Sequence, residues 1–98
     1  PAPRPLIAAA GVPATGEVFL DRRPWGTSLQ LRLQDLPPAS SYTAWAVSDG
    51  GARVRVASWG PTPDGAAEIS GATALAPGQV RSLVVAAGDG RQLLSLSF

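Results

Sequence analysis

The chain has 98 residues, a formal net charge of +1, and neither cysteine nor histidine. This length fits one domain, and the missing side chains exclude Cys/His zinc sites, disulfides and catalysis that needs an imidazole. Its positive charges are all arginines scattered along the sequence, so no nucleic-acid-binding surface is predicted.

The first fifteen residues contain four prolines and show no hydrophobic period. This composition predicts an extended or disordered linker over residues 1–15. The apolar run Leu6–Ala10 leaves open a short strand at a sheet edge. The folded domain is then expected to cover residues 16–98. No apolar run in the chain approaches the ~18 residues of a membrane-spanning helix.

Alternation of apolar and polar residues predicts about seven short strands. Leu29, Leu31 and Leu33 share one face of the clearest strand, and Gly-rich turns follow Ser48 and Ala87. Val54 and Val56 are expected to face the core, while Arg53 and Arg55 face water. The predicted strands are residues 16–23, 28–36, 42–48, 53–58, 66–70, 80–87 and 91–98.

The spacing of these strands, without any helical period, indicates an all-β fold. We expect an antiparallel two-sheet sandwich of the immunoglobulin or fibronectin type. A small β-barrel is the alternative. The two Gly-rich turns are too short to count as an internal repeat.

The three tryptophans are the residues with the clearest functional interpretation, because an aromatic face can stack on a sugar or anchor a partner. Trp45, in the middle of a strand, is expected in the core. Trp59 shares the parity of Arg53 and Arg55, which predicts the outer face or a position under the 60–65 loop. Trp25 is expected to cap one end of the fold. The candidate contacts with a partner or ligand are Trp59, Trp25, Arg53 and Arg55.

Carboxylates give no indication of catalysis. Asp49, Asp64 and Asp89 each precede a glycine, where an aspartate usually accepts a hydrogen bond from the local backbone. Serine and threonine are present, but no imidazole or lysine is available to activate one. The sequence therefore predicts a protein that is not an enzyme and has neither a cofactor nor a metal site.

Two motif patterns resemble a known family. The first is Leu36-Pro37-Pro38, then Tyr42, Trp45 and the turn Asp49-Gly50-Gly51. This order is similar to the extracytoplasmic C-terminal domain of zinc-finger anti-sigma factors of the anti-sigma-K type, from high-GC bacteria.

The second pattern resembles the shorter anti-sigma proteins, including the anti-sigma-L type. Its residues are Pro24-Trp25-Gly26-Thr27, Ala57-Ser58-Trp59, Gly71-Ala72-Thr73 and Asp89-Gly90-Arg91. The two patterns together cover residues 16–98. The anti-sigma-K-type segment that follows the last strand and contains Pro-Gly-Gly has no counterpart before Phe98, so no ligand role of that segment is transferred.

The resemblance implies a domain on the extracytoplasmic face of a single-pass membrane protein. In the family, a cytoplasmic zinc-binding domain holds an extracytoplasmic-function sigma factor inactive until regulated intramembrane proteolysis, begun by a site-1-type protease, releases it. This chain lacks the zinc motif, so it is expected to contact neither zinc nor the sigma factor, and residues 1–15 would be the juxtamembrane tether. The alternative function is a module that binds a cell-envelope carbohydrate or protein.

Overall fold

The computed structural model describes residues 3–98, and these form an all-β fold, which confirms the predicted class. No helix among them has the length and apolar character needed to cross a membrane. A single 3₁₀ turn spans Pro77–Gln79. The strands are β1 (Arg4–Ala8), β2 (Thr15–Arg23), β3 (Gly26–Gln34), β4 (Tyr42–Ser48), β5 (Arg53–Trp59), β6 (Ala67–Thr73), β7 (Val80–Ala87) and β8 (Gln92–Ser97).

The eight strands form one antiparallel sheet in the order β5-β4-β7-β8-β1-β2-β3-β6. The two outermost strands, β5 and β6, contact each other, so the sheet is nearly closed. Their approach depends on Gly71 of β6, because a Cβ atom there would lie 2.5 Å from the carbonyl oxygen of Val56 in β5. The small β-barrel, given as the alternative to a two-sheet sandwich, describes this arrangement.

Strand β1 corrects the prediction of a linker over residues 1–15. Arg4 pairs with Val18 of β2, and Ile7 pairs with Ser95 of β8, so β1 joins the two halves of the sheet. Leu6 is buried in the core. The alternative of a short edge strand over Leu6–Ala10 is closer to the structure, but the strand spans Arg4–Ala8 and lies between β8 and β2 rather than at an edge. Pro1 and Ala2 of the predicted linker lie outside the described residues.

Two β-bulges place additional apolar side chains in the core. Ala44 pairs with Ala57 but Trp45 pairs with Arg55, which leaves Val56 as the extra residue of β5. In β8, Val85 pairs with Leu94 and Ala86 pairs with Gln92, which leaves Leu93 unpaired. Val56 and Leu93 both belong to the buried cluster. A bulge changes which side chains face inward, so simple alternation fails on both strands.

The alternation predicted for β3 is confirmed. Leu29, Leu31 and Leu33 are buried in the core cluster, while Gln30 and Arg32 on the same strand are exposed.

The antiparallel pairing sets which connections share an end of the barrel. The start of β1 and the end of β8 lie at the same end as three connections: residues 24–25, 49–52 and 74–79. We call this the Trp25 end. The opposite end carries the connections of residues 9–14, 35–41, 60–66 and 88–91.

The predicted aspartate turns are confirmed at two of three positions. Asp64 Oδ1 accepts a hydrogen bond from the amide of Ala66 at 3.1 Å, and Asp89 Oδ1 accepts one from Arg91 at 3.0 Å. In the β4–β5 turn this role belongs to Ser48, whose hydroxyl oxygen accepts from the amide of Ala52 at 3.2 Å. Asp49, next to it, is exposed and makes no such bond.

Candidate functional site

The bulge in β5 separates Trp59 from the two arginines with which it was predicted to share a face. Trp59 pairs with Tyr42, whereas Arg55 pairs with Trp45 and Arg53 pairs with Val47. Because Val56 is inserted between them, Trp59 turns toward the core and the arginines turn outward. Of the two positions predicted for Trp59, the outer face is therefore excluded.

Trp59 is held in an aromatic corner at the end of the barrel opposite Trp25. Its ring stacks on Tyr42, with the centroids 5.8 Å apart and the planes at 18°. Tyr42 is buried, and its hydroxyl donates a 2.6 Å hydrogen bond to the carbonyl of Pro37. Trp59 Nε1 is buried and has no hydrogen-bond partner among residues 3–98. With one ring face covered by Tyr42, Trp59 is not an open stacking platform.

The core position predicted for Trp45 is wrong. The neighbours Ala44 and Ala46 are buried in the core cluster, so Trp45 points to the outer face, where it is partly buried. The side chains of β4 that fill the core are small. Since an indole in mid-strand is usually a core residue, the sequence alone favoured a Trp45 side chain that points into the core.

Trp45 and the two arginines form one outer surface, which we call the arginine–tryptophan surface. The guanidinium carbon of Arg55 lies 5.6 Å from the indole centroid, and that of Arg53 lies 5.9 Å from it. Both distances are within the range of cation–π attraction. Two guanidinium groups of β5 are thus held beside the Trp45 ring of the neighbouring strand β4.

The guanidinium groups of Arg53 and Arg55 keep their hydrogen-bond donors available. Within residues 3–98 neither group forms a salt bridge or a side-chain hydrogen bond, whereas Arg32 contacts both Glu17 and Glu68. Stacking on an aromatic ring occupies the face of a guanidinium and leaves its in-plane N–H groups free. These groups suit a carboxylate or a phosphate, which accepts two parallel hydrogen bonds from an arginine.

Trp45 belongs to a row of cross-strand side-chain pairs. Trp45 pairs with Val84, Val84 pairs with Ser95, and Ser95 pairs with Ile7, so these four side chains lie in one row across the sheet. Val84 is outside the core cluster but only 7% exposed, which fits cover from the neighbouring indole. Ile7 at the end of the row is 67% exposed. The arginine–tryptophan surface therefore lies at one end of a row of side chains that crosses four strands.

Trp25 does not cap the barrel, contrary to the prediction. It lies at the tip of the two-residue turn between β2 and β3 and is 54% exposed. Below the tip, Gly26 and Thr27 are buried, and the Thr27 hydroxyl donates a 2.8 Å hydrogen bond to the carbonyl of Leu75. Trp25 therefore projects outward from a turn whose following residues, Gly26 and Thr27, are packed in the barrel.

Two open clefts lie toward the end opposite Trp25. The first, of about 640 Å³, is lined by the ion-paired side chains Glu17, Arg32 and Glu68. The second, of about 670 Å³, is lined by loop prolines and by Tyr42. Among the described residues no group of His, Cys, Asp or Glu is arranged to hold a metal ion. Neither cleft contains the predicted contact residues.

Of the four predicted contact residues, the structure brings together Arg53 and Arg55 and separates Trp25 and Trp59 from them. Sequence analysis missed Trp45 as their partner. The signal was available in the pattern, since an Arg-x-Arg strand paired with a Trp-containing strand can place all three on one face. Comparison with protein-family models, curated proteins and solved structures gave no match.

Proposed function

We propose that this chain is the extracytoplasmic regulatory domain of a membrane-anchored anti-sigma factor, and that it acts by binding rather than by catalysis. The sigma factor would be held by a cytoplasmic domain outside this chain. The domain described here would receive an envelope signal and control the proteolysis that releases the sigma factor.

The observation that carries the proposal is the position of the motif residues. Leu36-Pro37-Pro38 follows the end of β3, Tyr42 begins β4, Trp45 lies within β4, and Asp49-Gly50-Gly51 makes the β4–β5 turn. The motif residues thus lie in β4 and in the connections before and after it, and the Tyr42 hydroxyl donates a hydrogen bond to the carbonyl of Pro37. In the second pattern, Pro24-Trp25 forms the turn between β2 and β3, and Gly26-Thr27 begins the Leu-rich strand β3.

The arginine–tryptophan surface is the best-defined contact site for the signal. Its two unpaired guanidinium groups favour a partner that presents carboxylate or phosphate groups. Since Arg53 and Arg55 are exposed on the outer face, a partner reaches them without opening the barrel.

The placement of β1 changes how proteolysis would be controlled. A protease needs an extended, accessible segment, and cleavage follows the population of open states. Residues 4–6 pair with β2 and residues 7–8 pair with β8, so the whole segment becomes accessible only when β1 leaves both strands. A signal that loosens β1 would therefore expose the segment nearest the membrane anchor.

The complete gene provides a direct test. The proposal predicts an apolar span of ~20 residues encoded upstream of this domain, preceded by a His/Cys zinc motif. In cells, the full-length protein with Arg53→Gln and Arg55→Gln should change the sigma-dependent response to envelope stress, while Arg91→Gln should not. A gene that encodes a secretion signal and a catalytic neighbour domain instead would contradict the proposal.

A carbohydrate-binding module is the second candidate, and the exposed indole of Trp25 favours it. Trp59 does not, because Tyr42 covers one face of its ring. Titration with peptidoglycan fragments and envelope polysaccharides distinguishes the two functions. Saturable binding that Trp25→Ala abolishes would support the carbohydrate module.

A further inference from the structure

The charges of the barrel are segregated between its two ends. Every charged side chain of the described residues lies in a connection or within three residues of a strand end. The Trp25 end has six of the eight arginines and two of the seven carboxylates, namely Arg4, Arg22, Arg23, Arg53, Arg55, Arg81, Asp21 and Asp49. The formal side-chain charge is therefore +4 at the Trp25 end and −3 at the opposite end.

The basic end also carries the most exposed tryptophan. Trp25 is at the tip of the β2–β3 turn, directly after Arg22 and Arg23. Arg23 is partly neutralised by Asp21 at 3.8 Å, whereas Arg22 forms no salt bridge within the described chain. An aromatic side chain beside arginines has the composition of a membrane-interface anchor, because the ring enters the headgroup region and the guanidinium groups meet anionic lipids.

We propose that the Trp25 end docks on an anionic lipid surface, with Trp25 in the headgroup layer and Arg22 among the lipid phosphates. The turn is convex, so it does not enclose a small ligand, and its buried base presents the indole outward. A broad, negatively charged surface complements both the shape and the charge of this end.

This inference rests on the proposed function for the presence of a membrane beside the domain. Strand β1 begins at the Trp25 end, so docking by this end would bring the start of β1 close to the lipid surface. Docking would then hold β1 near the membrane, and undocking would free it.

Vesicle binding by the 98-residue chain tests the proposal. The chain should cosediment with vesicles of phosphatidylglycerol and phosphatidylcholine at low salt, and should not bind pure phosphatidylcholine. Raising the salt concentration should release it, because screening weakens the attraction of the arginines to the lipid.

Matched variants identify the end that binds. Arg22→Gln should weaken binding about fivefold, since one arginine near an anionic surface contributes about 1 kcal/mol. Arg91→Gln, an exposed arginine at the opposite end, should leave binding unchanged. Trp25→Ala should weaken it about tenfold, while Ile7→Ala, an exposed apolar control on the barrel wall, should not. Unchanged urea midpoints would show that the variants remain folded.

Three outcomes would overturn the docking proposal. The first is that the chain fails to bind anionic vesicles at low salt. The second is that Arg22→Gln and Arg91→Gln weaken vesicle binding equally. The third is that the chain binds an acidic peptide such as polyglutamate but not vesicles. The last would identify an acidic protein as the partner. None depends on gene context, so docking can fail while the gene shows a membrane span and a zinc motif. Conversely, vesicle binding can persist if the gene contradicts the anti-sigma assignment.

Discussion

Gly71 of β6 lies against the backbone carbonyl of Val56 in β5, where a Cβ atom would approach the oxygen to 2.5 Å. Val56 is also the extra residue of the β5 bulge. The bulge and the glycine therefore meet at the seam where the two edge strands come together. The missing side chain at Gly71 thus allows β5 and β6 to approach closely enough to nearly close the barrel.

Gly71→Ala should destabilise the fold by about 1–3 kcal/mol, the usual cost of forcing extra volume into a packed site. The matched control is Gly78→Ala, where a Cβ atom meets nothing within 4 Å. The control should be neutral or slightly stabilising, because alanine restricts the unfolded chain. Urea unfolding measures both. Equal stability of the two variants would show that β5 and β6 are not in close contact.

Trp45→Ala should cost about 1–2 kcal/mol, since the indole is partly exposed and loses its contacts with Arg53 and Arg55. Leu33→Ala, in the core, should cost about 2–5 kcal/mol through the cavity that it leaves. The difference in urea midpoint between the two variants is the measurement. If Trp45→Ala were as costly as Leu33→Ala, Trp45 would belong to the core and the strand parity would be reversed.

Asp89→Ala should destabilise the protein by about 0.5–1.5 kcal/mol, the usual contribution of one hydrogen bond, because Asp89 accepts from the amide of Arg91. Asp49→Ala, in the similar β4–β5 turn, should have no measurable effect, since Ser48 supplies the acceptor there. Thermal unfolding of the two variants compares them directly. If Asp49→Ala lowered the melting temperature more than Asp89→Ala, the hydrogen-bond acceptor of the β4–β5 turn would be Asp49 rather than Ser48.

The parts of the fold that followed from sequence are those set by local pattern. Leu29, Leu31 and Leu33 alternate with polar residues over a full strand, and their inward parity is confirmed. The turn role of Asp64 and Asp89 is also local, because an aspartate before glycine bonds the backbone two residues later.

The parts that did not follow depend on pairing between distant residues. The bulge at Val56 is defined by the register of β5 against β4, and it reverses the parity of Trp59 relative to Arg55. Strand β1 has one buried large side chain, Leu6, and its position between β8 and β2, rather than at an edge, depends on those partners. The arginine–tryptophan surface was therefore half predicted: its arginines were identified and its aromatic partner was not.

Limited proteolysis of the native chain is the most direct test of the regulatory account, which requires β1 to be part of the barrel until a signal releases it. Thermolysin cuts before apolar residues, and Leu6 and Ile7 in β1 are potential sites. Because Leu6 pairs with β2 and Ile7 pairs with β8, mass spectrometry should find both residues uncut under native conditions. Early trimming to a fragment that begins near Gly16 would contradict the account, since residues 4–8 would then be a mobile tether.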